Sequence, residues 1–449
     1  MTPLRPHARS GPPLSRRHLL AGTAALLGGA FAAPALAGCS STAAASGITD
    51  ISYWHLLSGG DGITMATLVA DVEKKLGDVS VKQTVLAWGA PYYTKLAMAS
   101  AGGRAPDLAI MHASRVTGWA PGGLLDPWDL DLLAEFDVTE DTFKPRIWEK
   151  GFTDGRLYSV ALDSHPFITF FNTDIADKAG VLTSDGTLIE TSTPDEFVDM
   201  ALEMQAVTGQ HGLSWGYLND GAQLWRLFYT LYRQHGADMV LETGKPAEYD
   251  EDAALESLKF MTRLVDGKIA AKNGDINNGI AEFAGQKSGM LFSGVWELRT
   301  MQDAGIPFDA TIIPTLYGTP AVYADSHTFV LPHQSNPDET KRRAAYEFMA
   351  TLLKGSIDWA GAGHIPAYLP VIEDPAYDEL IPQAHYANAA DLINYDPPAW
   401  FTGSGSDFQT YFLDAIQGVM LGSTTPEAGF TSFITRINTL LAKPNPVTA

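Results

Sequence analysis

Cysteine is almost missing from this chain. Cys39 is the only one in 449 residues, so no disulfide can close within the molecule and no cysteine-built metal site can form. Basic residues are also scarce, with 30 Lys and Arg against 52 Asp and Glu and a formal net charge of −22. That balance excludes nucleic acid and anionic membrane surfaces as natural partners, because both call for a basic patch. There is no His-Glu-x-x-His and no Gly-x-Ser-x-Gly elbow, and no close histidine cluster along the sequence suggests zinc. Gly59-Gly60-Asp61-Gly62 is glycine-rich, but no Lys-Ser/Thr follows it, so it is not a phosphate-binding loop. Asp275-Ile276-Asn277-Asn278-Gly279 lacks the downstream acid of a calcium loop. No cofactor, metal ion or catalytic residue is therefore expected.

Residues 1–38 read as a targeting segment. They hold four arginines, Arg5, Arg9, Arg16 and Arg17, and no acid, followed by a small-residue and leucine stretch from Leu19 to Leu36. Ser15-Arg16-Arg17-His18-Leu19-Leu20 resembles a twin-arginine export signal. The stretch after it is too short and too broken by Gly and Pro to span a membrane. Leu36-Ala37-Gly38-Cys39 resembles the bacterial lipobox, which makes Cys39 the expected lipidation site, and residues 39–47 a flexible Ser/Ala-rich tether. The expectation is an exported protein held to the outer face of the cell membrane by its lipid alone. Without those four arginines the 30 basic residues fall to 26 against 52 acids, a net charge of −26.

About 400 residues remain, more than one hydrophobic core usually supports, so two domains are expected. Segments of period 2 alternate with segments of period 3.6, which is α/β patterning. Strands are predicted at Ile48–Tyr53, Val79–Val85 and Leu108–Met111, with Met65, Leu68, Val69, Val72 and Leu76 on one helical face between the first two. This order implies a mostly parallel sheet. Leu157 to Phe171 is a long β-prone run, read as crossing between domains at Asp163-Ser164-His165-Pro166 because proline ends or bends a strand. Further strands are predicted at Gly289–Val295, Ala310–Ile313 and His327–Leu331, and a helix at Phe408–Met420 with Asp407 as its cap.

Open α/β sheets bind ligands at the carboxyl ends of their strands. Those ends carry Trp54 and His55, then Trp88, then His112, Ser114 and Arg115. Asp163 and His165 stand at the crossing, and Trp296 and Glu297 follow a later strand; Asn219 and His327 join the set by the same logic. A sugar suits such a mixture: its CH faces stack on flat rings, and its hydroxyls need Asp, Glu, His, Arg and Asn. A single tryptophan beside a strand end is as readily core packing, so the constellation carries more weight than its members.

The order of several short motifs resembles the extracellular solute-binding proteins of carbohydrate ABC transporters, the group that includes maltose-binding protein. They are Tyr53-Trp54-His55 with Gly59-Gly60-Asp61-Gly62, Ala105-Pro106-Asp107-Leu108, Gly122-Gly123-Leu124-Leu125-Asp126-Pro127 and Asp154-Gly155-Arg156-Leu157-Tyr158 running to Phe171-Asn172-Thr173-Asp174. Gly289 to Trp296, Ala345-Tyr346-Glu347-Phe348 and Gly363-His364-Ile365-Pro366-Ala367 complete the series. The resemblance implies a type II periplasmic-binding-protein fold, with residues 48–162 and 322–368 in lobe one and 163–321 and 369–449 in lobe two. It implies ligand contacts at Asp61, Ser114, Arg115, Asp163 and Trp296, with an aromatic at Trp400 or Phe401. It further implies a monomer that captures a sugar or small oligosaccharide between its lobes and hands it to membrane permease subunits. Where maltose-binding proteins place an acid beside the arginine, this chain has Ser114.

Two rival readings remain open from residues alone. A secreted glycoside hydrolase also needs a cleft, aromatics and two carboxylates, for which Asp163 and Glu297 are nominal candidates. A binding protein for a polyamine, peptide or metal would favour a cleft richer in acids and poorer in tryptophan and arginine.

Overall fold

The computed structural model describes residues 47–446. The expected leader, Cys39 and all but the last residue of the tether lie outside the described residues. In Thr49–His55 the alternate residues Ile51, Tyr53 and His55 are buried, the period-2 burial of a strand against a core. The strand pairs in parallel with Val79–Val85 and Leu108–His112, as expected. The helix Gly59–Leu76 links the first two, buries Met65, Leu68, Val69 and Val72 on one face, and ends at the left-handed Gly77. The rest of this first sheet is antiparallel, since His327–Pro332 joins the edge of Leu108–His112 and pairs in turn with Leu125–Asp126 and Ser159–Ala161. The sheet is therefore mixed, not mostly parallel.

The second sheet is organised by one long strand, Asp163–Asn172, buried at all ten residues. Ser288–Gly294, Phe308–Ile312, Val322–Asp325 and Ile365–Pro366 all run antiparallel to it. Successive side chains leave opposite faces of the strand. Phe167 and Phe171 join the lobe-two core with Trp225, Phe228, Phe408 and Phe433, whereas Ile168 and Phe170 join the cluster that runs toward lobe one.

Three details depart from the reading of the sequence. Pro166 does not break the long strand. Its neighbours change close by, from Val322–Asp325 to Phe308–Ile312 and from Ile365–Pro366 to Ser288–Gly294. Pro166 is the register partner of Ala324 on one side and falls, on the other, in the gap between the Ser164–Ile365 and Phe167–Gly294 partners, which accommodates a residue without an N–H. The crossing between sheets lies earlier, at Leu162. The return expected at 322 lies at Ser326, because Val322–Asp325 still pairs in the second sheet and His327 opens a strand of the first. Finally, Ser406 and not Asp407 is the residue before the helix Asp407–Met420. The two crossings lie side by side, tied by the Leu162 N–H to the His327 carbonyl at 2.8 Å.

Candidate functional site

Both lobes face a cleft of about 550 Å³. Lobe one contributes Leu56 to Asp61, Trp88, His112 and His327, while lobe two contributes His165, Asp220, Gln223, Arg226, Trp296, Glu297 and Thr300. Seven of the residues singled out in the sequence therefore meet here: Asp61, Trp88, His112, His165, Trp296, Glu297 and His327. Trp88 follows the strand Val79–Val85 and is 44% exposed, and Trp296 sits in the short turn after Ser288–Gly294. Gly294 explains the Gly-x-Trp spacing. A Cβ on it would lie 2.0 Å from the Trp296 ring, so only glycine lets the indole fold back over its own strand.

The floor of the cleft is a buried hub around Asp163. Nδ1–H of His165 donates to Oδ1 at 3.0 Å and Nδ1–H of His327 to Oδ2 at 2.8 Å. The His327 backbone N–H and the Trp359 indole N–H add bonds of 2.8 and 2.7 Å. His364 Nδ1 stands 3.0 Å from Oδ2, off the line of a good hydrogen bond, and its Nε2–H meets Asp61 Oδ1 at 3.1 Å. Burial works against a charged His364, but the Asp61 and Asp163 carboxylates outweigh it and lift its pKa to about 10. The ring is thus an imidazolium, stacked on Trp359 with centroids 4.3 Å apart. Burial raises Asp163 in principle, yet the three histidines hold it well below the usual carboxylate range.

His165 is pushed down to about 3, first by burial and then by His327. His112 is also depressed, by burial, then His327, His165 and Arg226. Both are neutral at neutral pH, which fixes the chemistry of their free edges. His165 donates its Nδ1–H to Asp163 and so offers the cleft an acceptor Nε2. His112 is the reverse. The Tyr93 hydroxyl already accepts the His112 backbone N–H at 3.2 Å, so its own proton goes to Nδ1 at 2.7 Å, leaving Nε2–H as a donor.

Eight singled-out residues do not line the cleft. Asp163 lies beneath it, fully buried. His55 points into the lobe-one sheet, with Nε2 3.2 Å from Gln83 Oε1, and Trp54 packs outside with Lys95 over its ring. Ser114 binds Asp325 and accepts the Ser404 N–H at 3.0 Å, and Arg115 lies over the Tyr93 ring at 4.4 Å. Both are covered by the segment 400–406, which explains why the contacts implied for Trp400 and Phe401 are displaced too. Trp400 packs on Gly118, and Phe401 is buried in the lobe-two core beside Phe408. Asn219 sits in an exposed left-handed turn, its N–H bonded to Gln417 Oε1 at 2.7 Å.

Several residues of the site were not anticipated. Arg226 and Gln223 project into the cleft from the helix Gly221–Gln234, which is buried along nearly its whole length. His364 and Trp359 reach the hub from beyond residue 355. The ligand atoms of Asp163, His165, His327 and His364 lie within 4.8 Å of one another, a composition suited to a transition metal although no close cluster shows in the sequence. In the arrangement here the carboxylate accepts hydrogen bonds from imidazole N–H groups instead, and a metal would have to displace those protons.

Among the described residues no helix is long and apolar enough to cross a membrane. A sequence model of the bacterial extracellular solute-binding protein family matches residues 59–354. The sn-glycerol-3-phosphate-binding periplasmic protein of Pectobacterium atrosepticum is 23% identical over 440 residues, covering 90% of this chain and 93% of its own. The arabinooligosaccharide-binding protein of Bacillus subtilis is 25% identical over 239 residues, 52% of each chain. Among solved structures, the GacH receptor of Streptomyces glaucescens, studied unliganded and with acarbose, superposes with a TM-score of 0.73 at 20% identity, covering 87% of this chain and 98% of its own. Maltose-bound MalE3 of T. maritima gives 0.73 at 17% identity, with 87% and 99% covered.

Proposed function

Because the chain belongs to the bacterial extracellular solute-binding proteins, we propose that it is the substrate-capturing component of an ABC importer, taking a sugar or short oligosaccharide between its lobes. The observation that carries this reading is the pairing of Trp88 from one lobe with Trp296 from the other across a cleft edged by imidazoles, amide and carboxylates. Flat rings suit the CH faces of a pyranose, and the acceptor Nε2 of His165 suits its hydroxyls. The sugar ligands named for the related structures agree with it. A ligand touching both walls favours the closed arrangement through its differential affinity, and the closed form is the one presented to permease subunits. Export and a lipid at Cys39 would keep the protein beside them, and nothing in the cleft requires a second copy.

Calorimetry on purified protein with a panel of mono- and oligosaccharides tests the reading, with X-ray scattering for compaction. Saturable heat with a smaller radius of gyration is expected for at least one saccharide. Heat only with amino acids or polyamines would refute it.

One observation favours a hydrolytic reading instead. Burial, with Asp61 nearby, raises the Glu297 carboxyl as a general acid requires. Against this, Asp61 Oδ1 is tied to His364, and Asp163, the other acid considered, is sealed in the floor. Release of reducing ends from an oligosaccharide that binds, abolished by Glu297→Gln, would replace the binding reading.

A further inference from the structure

The aspartates around the cleft are answered within the protein. Asp61 is paired with the His364 imidazolium. Asp220 caps its helix, accepting the Ala222 and Gln223 N–H groups at 3.0 Å each. Asp163 is surrounded by donors. Arg226 is different. It is 7% exposed, yet among the described residues no carboxylate stands within the 4.0 Å of an ion pair, and its Nε is buried without a hydrogen-bond partner. Its guanidinium lies 4.6 Å above the Trp296 ring, which supplies some stabilisation but no counter-charge. Arg226 is hydrogen-bonded to the Tyr323 side chain, a neutral partner, and is felt by the buried Asp396, whose pKa is pushed up to about 7 by burial and by Asp325 and which is engaged by the Trp225 indole N–H. One turn earlier on the same helix, Gln223 Oε1 is also buried and unpartnered.

A buried cation without an acid is costly unless something else supplies the charge. His112, near enough to Arg226 to be depressed by it, adds an Nε2–H donor on the facing wall. We infer that the ligand is an acidic sugar, its carboxylate or phosphate held between Arg226 and the His112 Nε2–H beside Trp296. This rests on the reading of the cleft as a sugar site and names the class of sugar. Gln223 Oε1 and the Nε2 acceptor of His165 then accept hydrogen bonds from hydroxyls, and the planar guanidinium offers the anion a two-pronged contact.

The test uses matched pairs on the intact protein: galactose and galacturonate, glucose and glucuronate, glucose and glucose 6-phosphate, glycerol and glycerol 3-phosphate, with short oligogalacturonates beside neutral oligosaccharides. At least one acidic member should bind tenfold or more tighter than its neutral partner. The pair that shows this separates carboxylate from phosphate. Raising the salt should narrow the gap. Arg226→Gln should bring the two members of that pair to within about threefold, while Arg226→Lys keeps part of the preference. A role for Arg226 in merely supporting Trp296 predicts equal losses for both members, which overturns the inference. Tight binding of neutral sugars with no acidic preference overturns it while leaving the sugar reading intact; binding of non-saccharides alone removes both. If Arg226→Gln does not fold, the salt dependence of the wild-type preference decides.

Discussion

The floor of the cleft and its lobe-two wall treat charge in opposite ways. Asp163 accepts from His165, His327, the His327 backbone and Trp359, with His364 close by, which uses all of the roughly four lone-pair sites a carboxylate has. Arg226, buried almost as deeply, has no ion pair among the described residues. Two equally buried ions thus have different meanings. The saturated one fixes ring orientations and the angle at which two crossings meet, and the unsaturated one waits for something that the chain does not supply.

That contrast is sharpest in stability measurements. Asp163→Ala deletes the hub and leaves the His364 imidazolium with Asp61 alone, a loss of about 3–5 kcal/mol by urea unfolding. Arg226→Gln removes a buried charge that no ion pair balances, so stability should hold or rise slightly. A loss as large as that of Asp163→Ala would put Arg226 among the structural charges and break the comparison.

A pH series separates the floor's own groups. His364 has a folded pKa raised to about 10 from an ordinary 6.5. Its contribution is fully present below about pH 6.5 and is lost as pH climbs through 10. His165, lowered to about 3, acts with the opposite sign, since the fold loses stability as pH drops below 6.5 toward 3. Asp163, also lowered, adds to the acid-side loss. Unfolding followed from pH 4 to 10 should therefore decline on both sides, and His364→Gln should flatten the alkaline limb only. An unchanged alkaline limb would mean that His364 is neutral.

A smaller effect is expected where the lobes are clamped. Gly403 has φ +103°, and a Cβ there would lie 2.8 Å from the Ser114 carbonyl oxygen. Gly403→Ala should cost about 1–3 kcal/mol and loosen the segment that covers Ser114 and Arg115.

Much of this was legible at the ends of strands. Trp88, Trp296, His165 and His327 were found because period-2 runs announce where a strand stops, and ligands gather at such ends. The same logic over-reached at Trp54 and His55, because it cannot tell which side of a sheet a terminal side chain leaves. Ser114 and Arg115 were placed correctly in the chain but lie under residues 400–406, a contact across almost 290 positions. Arg226 was hidden in a helix where aromatic and aliphatic residues face every direction, so no polar face stood out. A signal was nonetheless present: Gln223 and Arg226 are three apart in an otherwise apolar stretch, and polar side chains that share a buried helix face need a partner. The crossing at Ser326 left no mark in composition, since one buried serine separates two strands of different sheets.

Asn219 gives the weakest and cleanest check on the wall assignment. Its φ of 60° puts it in the left-handed region, where asparagine and glycine are favoured, and only its backbone N–H is engaged, by Gln417. The side chain does not line the cleft. Asn219→Gly therefore keeps the turn and the backbone bond, and should change stability by no more than about 0.5 kcal/mol and ligand affinity not at all. Its neighbour Asp220 does line the cleft, so the substitution probes the boundary of the lobe-two wall at a resolution of one residue. An affinity loss of tenfold would move that boundary outward and place the ligand against the loop ahead of the Arg226 helix, where an extended oligosaccharide and not a single acidic ring would have to reach.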